Sequence, residues 1–150
     1  MKETLIKVSK IILTLVKVGS IVTILVIILE ALTKELPITN NKIPFFLFAL
    51  VSVIYSILYY LIANNIIYII NNSKGNPFIL DNVKRFDRTG ICLMAVSIID
   101  FIKNHSNVLR LDTSRVSNVG FIFLSGIICF VISNIIYQAI KIKDDNDLTI

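Results

Sequence analysis

The sequence has few charged residues for its length. Only 17% of its 150 residues are Asp, Glu, Lys or Arg, whereas a soluble domain carries about 25%. The apolar fraction is 55% and the mean hydropathy is +0.81, and the apolar residues stand in long blocks rather than alternating with polar ones. This composition excludes an ordinary soluble domain and predicts an integral membrane protein.

Residues that catalyse reactions or bind metals are also scarce. The one histidine, His105, stands among polar residues between two apolar blocks, and both cysteines, Cys92 and Cys129, lie inside apolar blocks. Hydrolase, metalloprotease and nucleotide-binding motifs are absent from the sequence. We therefore expect no enzymatic activity, no cofactor and no metal site, and we expect the two thiols to be unpaired and inert.

Four apolar blocks approach the length of a transmembrane helix, which is about 20 residues. They cover residues 11–32, 43–66, 89–105 and 116–140. The third block is the weakest, because Arg88 and Lys103 limit its apolar part, and a re-entrant segment is the alternative to a full crossing. We predict an all-α membrane protein, with residues 1–150 forming a single domain of four transmembrane helices.

Besides Glu30 and Lys103 at the span ends, two charged residues fall within the predicted spans. Lys17 continues a polar stripe, at spacings of three and four residues, that begins at Glu3. This stripe predicts one long first helix, from which Lys17 extends back to the lipid headgroups. Asp100 lies near the end of the third block, beside Lys103. Because charges inside a membrane often serve function, Lys17 and Asp100 are also functional candidates.

Polar side chains recur at helical spacing inside the second and fourth blocks. Such seams usually let helices pack closely in a membrane, and a solute or ion path is the alternative interpretation. The seam residues are Ser52, Ser56, Tyr59 and Asn64 in the second block and Ser125, Cys129, Ser133 and Asn134 in the fourth.

The distribution of Lys and Arg predicts the orientation. Nine of these residues lie at the two termini and in the segment between the second and third blocks. Five lie on the other side, four in the two other connections and Lys103 at the end of the third block. Because cytoplasmic segments are enriched in Lys and Arg, both termini are predicted to lie in the cytoplasm. The bilayer is therefore the first expected partner, and the expected location is a bacterial cytoplasmic membrane.

The predicted cytoplasmic loop 71–88 has a distinct local pattern. Gly75 and Pro77 end the second helix, and Asp81 suits the N-cap of a short amphipathic helix that begins at Asn82. Its basic residues would reach lipid phosphates or a cytoplasmic protein. These residues are Lys84, Arg85 and Arg88.

The acidic tail 144–150 is predicted to lie on the same side of the membrane as this loop. A contact between the two would join opposite charges and close the cytoplasmic end of the bundle, with Leu148 and Ile150 adding apolar burial. The acidic members of the tail are Asp144, Asp145 and Asp147.

These two segments carry a family resemblance. The loop resembles the G-x-P-F-x-x-E-N-V-x-R-L-x-x-I-G signature of the bacterial membrane family called domain of unknown function 2975, and the tail is similar to its D-L-T-I ending. Asp81 stands where Glu is usual. The resemblance implies a candidate partner, a small helix-turn-helix regulator. The family name itself carries no biochemical function. The matching residues are Gly75, Pro77, Phe78, Asn82, Val83 and Arg85 in the loop, with Asp81 at the Glu position, and Asp147, Leu148, Thr149 and Ile150 in the tail.

Three functions are consistent with this sequence. The first is a non-enzymatic accessory or regulatory protein that engages a partner, such as the regulator, through its cytoplasmic face and does not itself bind nucleic acid. The second is an immunity protein against a membrane-active peptide or bacteriocin. The third is a small transporter or channel subunit that uses the polar seams. The sequence does not discriminate among them.

Overall fold

The chain is all-helical over the residues that the structure describes. This computed structural model describes residues 2–33, 45–73, 77–105 and 113–147. Within these ranges there are four helices and no strand: α1 (Lys2–Thr33), α2 (Phe45–Asn72), α3 (Leu80–His105) and α4 (Thr113–Asp147). The predicted all-α fold is confirmed, including the single long helix at the N-terminus.

Three of these helices are long and apolar enough to cross a membrane. Within the described residues the suitable stretches are Glu3–Glu30, Ala49–Asn72 and Asn118–Asn146, in α1, α2 and α4. The helix α3 is not among them, because its N-terminal segment, before Thr89, carries five charged residues. A crossing by α3 therefore stays a prediction.

The helix α3 also corrects one prediction. We expected a short interfacial helix from Asn82, separate from the third span, but α3 runs without interruption from Leu80 to His105. No proline divides the two segments. Thr89 stands where the two segments join. Its hydroxyl donates to the carbonyl of Arg85, four residues earlier, at 2.8 Å, as serine and threonine side chains do inside helices.

The chain divides into two compact units, Met1–Asn64 and Asn65–Ile150, with the division inside α2. In the first unit, α1 and the N-terminal part of α2 line a common groove. In the second unit, α3 packs against α4.

Two hydrogen bonds join α3 to α4 at widely separated levels. The hydroxyl of Ser133 donates to the carbonyl of Val83 at 3.1 Å, and the hydroxyl of Ser97 donates to the carbonyl of Val119 at 3.0 Å. Position 83 thus faces position 133, and position 97 faces position 119. The two helices are therefore antiparallel, with a definite register.

A pair of glycines lies halfway between these hydrogen bonds. A Cβ atom on Gly90 would lie 3.0 Å from the carbonyl oxygen of Gly126, and one on Gly126 would lie 2.8 Å from Cγ of Met94. The backbones approach so closely that neither position has room for a side chain. Each contact follows the previous one by seven residues on both helices, which is the repeat of coiled-coil packing.

Candidate functional site

The candidate site lies where the chain passes from α2 to α3, and polar contacts hold it together. We call it the turn cluster, and its residues are Asn65, Tyr68, Asp81, Asn82, Arg85 and Thr89. Arg85 lies at its centre. Its Nε donates to Oδ2 of Asp81 at 3.4 Å and its Nη1 donates to Oδ1 of Asn65 at 3.2 Å. The guanidinium carbon lies 3.4 Å from the centroid of the Tyr68 ring. Arg85 therefore joins the end of α2 to the start of α3.

Asp81 completes this arrangement from the first turn of α3. The Tyr68 hydroxyl donates to its carboxylate, which also accepts from Nε of Arg85. Asp81 was predicted to cap a helix that begins at Asn82. The helix instead begins one residue before Asp81, and the carboxylate binds two side chains.

Asn82 connects the helix to the preceding loop. Its side chain is only 1% exposed, and its Nδ2 donates to the carbonyl of Pro77 at 2.9 Å. Its backbone N–H donates to the carbonyl of Ile79 at 3.0 Å. Among the described residues its buried Oδ1 has no hydrogen-bond donor. The amide thus fixes the path by which the chain enters α3.

The other described loop residues of the predicted docking motif are exposed or contact α4. Lys84 and Arg88 are exposed, and so are Pro77 and Phe78. The Val83 carbonyl accepts the hydrogen bond from α4. The predicted docking motif therefore has an inner face, which is occupied by contacts within the protein, and an outer basic face. Gly75 lies outside the described residues.

The acidic tail is largely a continuation of α4, which ends at Asp147. Asp144 and Asp145 are exposed. Because position 133 faces position 83, Asp144 lies about 12 residues beyond the level of Lys84, or about 18 Å along the helix axis. This distance rules out the predicted contact between these carboxylates and the basic loop residues while α4 is helical. Leu148, Thr149 and Ile150 lie outside the described residues.

The predicted seam in α2 lies beside a charged residue of α1. Nζ of Lys17 donates to Oδ1 of Asn64 at 2.9 Å and lies 5.0 Å from the centroid of the Tyr60 ring. Lys17 was predicted to extend to the headgroups, but its amine has these partners inside the first unit.

A groove in the same unit is lined mostly by hydroxyl-bearing side chains. Ser20, Thr23 and Ser56 each donate to a carbonyl of their own helix, which leaves their oxygen lone pairs as acceptors. The lining residues are Val16, Ser20, Thr23, Ser52, Tyr55, Ser56 and Tyr59.

The predicted seam in α4 is only partly in contact with α3. Ser133 is buried at the helix contact, whereas Ser125 is exposed and its hydroxyl donates to the carbonyl of Phe121. Cys129 is half-buried and Asn134 is exposed. The structure thus places the close approach one residue along from Ser125, at Gly126.

Several residues of these sites were not singled out from the sequence. Asn65 and Tyr68 are the clearest, since they supply α2's contacts with Arg85. A spacing of three places them on one helix face, and an asparagine inside an apolar block is itself a signal. Ser97 was not singled out either. It lies seven residues after Gly90, which fills the last position of the loop signature, and this repeat could have shown the contact with α4.

Comparison with known proteins identifies a family for nearly the whole chain. The family described as "Protein of unknown function (DUF2975)" matches residues 6–150. The chain belongs to this family. The match includes the turn cluster and the end of α4, and it confirms the resemblance, while the family's description supplies no activity. No curated protein and no solved structure matches the chain.

Proposed function

We propose that this protein is a small accessory or regulatory protein of the bacterial cytoplasmic membrane, without enzymatic activity, which binds a cytoplasmic protein at the end of α4. In this proposal all four helices cross the bilayer and both termini lie in the cytoplasm. The turn cluster is a structural support that holds α2, α3 and the loop between them in one arrangement.

The observation that carries this proposal is the length of α4. Position 133 faces position 83, so the first residue of α3, Leu80, is level with position 136. The helix α4 continues to Asp147, about 11 residues or about 16 Å farther. Its last turns therefore extend past the start of α3, and the side chains of residues 141–146 in them are exposed.

The chemistry of this extension favours a basic partner. Lys141 and Lys143 stand where the apolar stretch of α4 ends, and acidic residues follow them. A helix-turn-helix regulator, which the family resemblance implies, has a basic surface for DNA phosphates. Binding of that surface to Asp144 and Asp145 would hold the regulator at the membrane and compete with its binding to DNA.

A photocrosslinking experiment tests the docking role of α4. A photoreactive amino acid replaces Asp144 in one variant and Glu3 in another, and the full-length proteins are irradiated in native membranes. We expect the first variant to yield a crosslinked DNA-binding protein, whose recovery falls when Asp145→Lys is added. Deletion of the gene should change the transcription of that regulator's targets. No crosslink from position 144, together with an unchanged transcript profile, would overturn the proposal.

A second candidate function is a small transporter or channel subunit, and the first unit favours it. A lysine amine bound to Asn64, beside a groove whose lining includes serine, threonine and tyrosine side chains, would provide polar positions for a solute within apolar helices. The test is solute or ion flux into liposomes containing the purified protein. Flux that is lost in Lys17→Met and retained in Lys141→Met would support this function, and absence of flux from the unmodified protein would exclude it for the solutes tested.

A further inference from the structure

A stripe of exposed residues runs along α3 on the side opposite its buried positions. Leu80, Lys84, Arg88 and Ile91 follow each other at spacings of four, four and three residues, which place them on one helix face. Leu80 is 52% exposed and Ile91 is 59% exposed, and the two basic side chains between them are exposed as well. The stripe therefore has a cationic centre with an apolar residue at each end.

The register with α4 sets the depth of these two cations. Since position 83 faces position 133, Lys84 is level with Ile132 and Arg88 is level with Ile128. Both positions lie inside the uncharged stretch Val119–Ile140 of α4, which is about 33 Å long and close to the thickness of the hydrocarbon core. The cations thus lie at the level of the apolar part of α4.

The depth of the two cations below the membrane surface can be measured along α4, if Lys141 marks that surface. Lys141, the first charged residue after the apolar stretch, is about 14 Å from the level of Lys84 and about 20 Å from that of Arg88. Helical side chains point toward the N-terminus of their helix, and the N-terminus of α3 lies on the Lys141 side because the helices are antiparallel. Both side chains therefore extend toward that surface but start well below it.

We propose that Lys84 and Arg88 together bind the phosphate of an anionic phospholipid whose headgroup is drawn below the level of Lys141. Two cations one helical turn apart suit a phosphate diester, and the exposed Leu80 and Ile91 suit the acyl chains on either side of it. A soluble acidic protein does not fit this position, because the apolar surface of α4 stands at the same level.

The neighbouring charges do not alter this assignment. Asp81 binds Tyr68 and Arg85, and Arg85 itself is held in the turn cluster. Asp87 is half-buried beside the stripe, so the two cations outnumber the acid nearest to them. The lipid site depends on the contact between α3 and α4 and not on the proposed cytoplasmic partner. The lipid site and the partner can therefore each be disproved without affecting the other.

Lipid retention in nanodiscs tests this site. The full-length protein is placed in nanodiscs of phosphatidylcholine with one part in ten phosphatidylglycerol, and native mass spectrometry counts the phosphatidylglycerol molecules that stay bound. We expect Lys84→Gln with Arg88→Gln to weaken this retention by about thirtyfold. The matched control, Lys141→Gln with Lys143→Gln, should change it little, because these lysines stand at the surface level.

Three results would overturn the proposal. The first is equal lipid retention by the site variant and the unmodified protein. The second is a loss of retention in the control variant as large as that in the site variant. The third is displacement of the bound lipid by free glycerol phosphate, which would indicate a site for a soluble anion.

A second measurement does not depend on the folding of a variant. A phosphatidylglycerol with a photoreactive group near its phosphate is added to nanodiscs of the unmodified protein and irradiated. Crosslinks should fall on residues 80–91, and crosslinks confined to other segments would contradict the site.

Discussion

At the scale of single residues, Arg85 illustrates how a charged side chain can serve the fold rather than a partner. Its guanidinium donates to Asn65 and Asp81 and lies over the ring of Tyr68. Its side chain is 19% exposed, whereas the Asp81 side chain is 46% exposed. Only a planar group with several N–H donors can make these contacts together.

Replacement of Arg85 by lysine should therefore destabilise the protein although the charge is kept. An ammonium group cannot stack on Tyr68 as a planar group does and reach both Asn65 and Asp81. We expect a loss of about 1–3 kcal/mol in the free energy of unfolding, measured by circular dichroism during thermal unfolding in detergent. Lys84→Ala, at the exposed position next to it, should have little effect. Equal stability of Arg85→Lys and the unmodified protein would show that the cluster contributes little.

Asp81 leads to a second prediction about this cluster. Its carboxylate accepts from the Tyr68 hydroxyl and from Nε of Arg85, and an amide would replace one of its two acceptor oxygens by a donor. Asp81→Asn should therefore lower the melting temperature in detergent, whereas Lys84→Gln, at an exposed position, should leave it nearly unchanged. An unchanged melting temperature in Asp81→Asn would refute this account.

At the scale of the helices, the main feature is the contact between α3 and α4. It repeats every seven residues, with the glycine pair Gly90 and Gly126 between two interhelical hydrogen bonds. The glycines let the backbones approach, and the serine hydroxyls satisfy carbonyl oxygens of the opposite helix. This contact sets the depth of every residue of α3 relative to α4.

A methyl group at Gly126 should disturb this contact. The added carbon would meet Cγ of Met94 at 2.8 Å and the Gly90 carbonyl oxygen at 3.1 Å, so the Met94 side chain would have to move and the two backbones would have to shift slightly apart. We expect Gly126→Ala to lower the free energy of unfolding by about 1–3 kcal/mol. Gly120→Ala on the same helix is the matched control, since nothing lies within 4 Å of its added carbon. The packing argument fails if the two variants have the same melting temperature.

At the scale of the whole molecule, the course of α3 determines the topology. Within the described residues three helices have the length and hydropathy of a membrane span, and α3 is not one of them. Its charged N-terminal segment is level with the apolar stretch of α4. The apolar block 89–105 therefore covers only part of the helix and is shorter than a usual membrane span. Whether α3 crosses decides where the termini lie.

The location of the two termini therefore tests the number of crossings. Four crossings place both termini on one side, whereas three place them on opposite sides. We expect epitope tags before Met1 and after Ile150 to be digested together by protease in inverted membrane vesicles and to be protected together in intact spheroplasts. Digestion of one tag alone in either preparation would show that α3 does not cross.

The sequence by itself determined the helical, membrane-like character of the protein and the family to which it belongs. Long apolar blocks can satisfy their backbone groups in lipid only as helices, and this requirement acts along the chain without reference to distant residues. The predicted positions of α1, α2 and α4 therefore agree with the structure, apart from longer ends.

Only the tertiary structure decided which faces of these helices meet. The loop motif could be recognised, but its division into an inner cluster around Arg85 and an outer pair, Lys84 and Arg88, depends on Asn65 and Tyr68 of another helix. The likewise unforeseen register of α3 on α4 depends on a backbone approach at Gly90 and Gly126. In lipid, apolar periodicity does not mark the packed face, because side chains that face lipid are as apolar as those that face another helix.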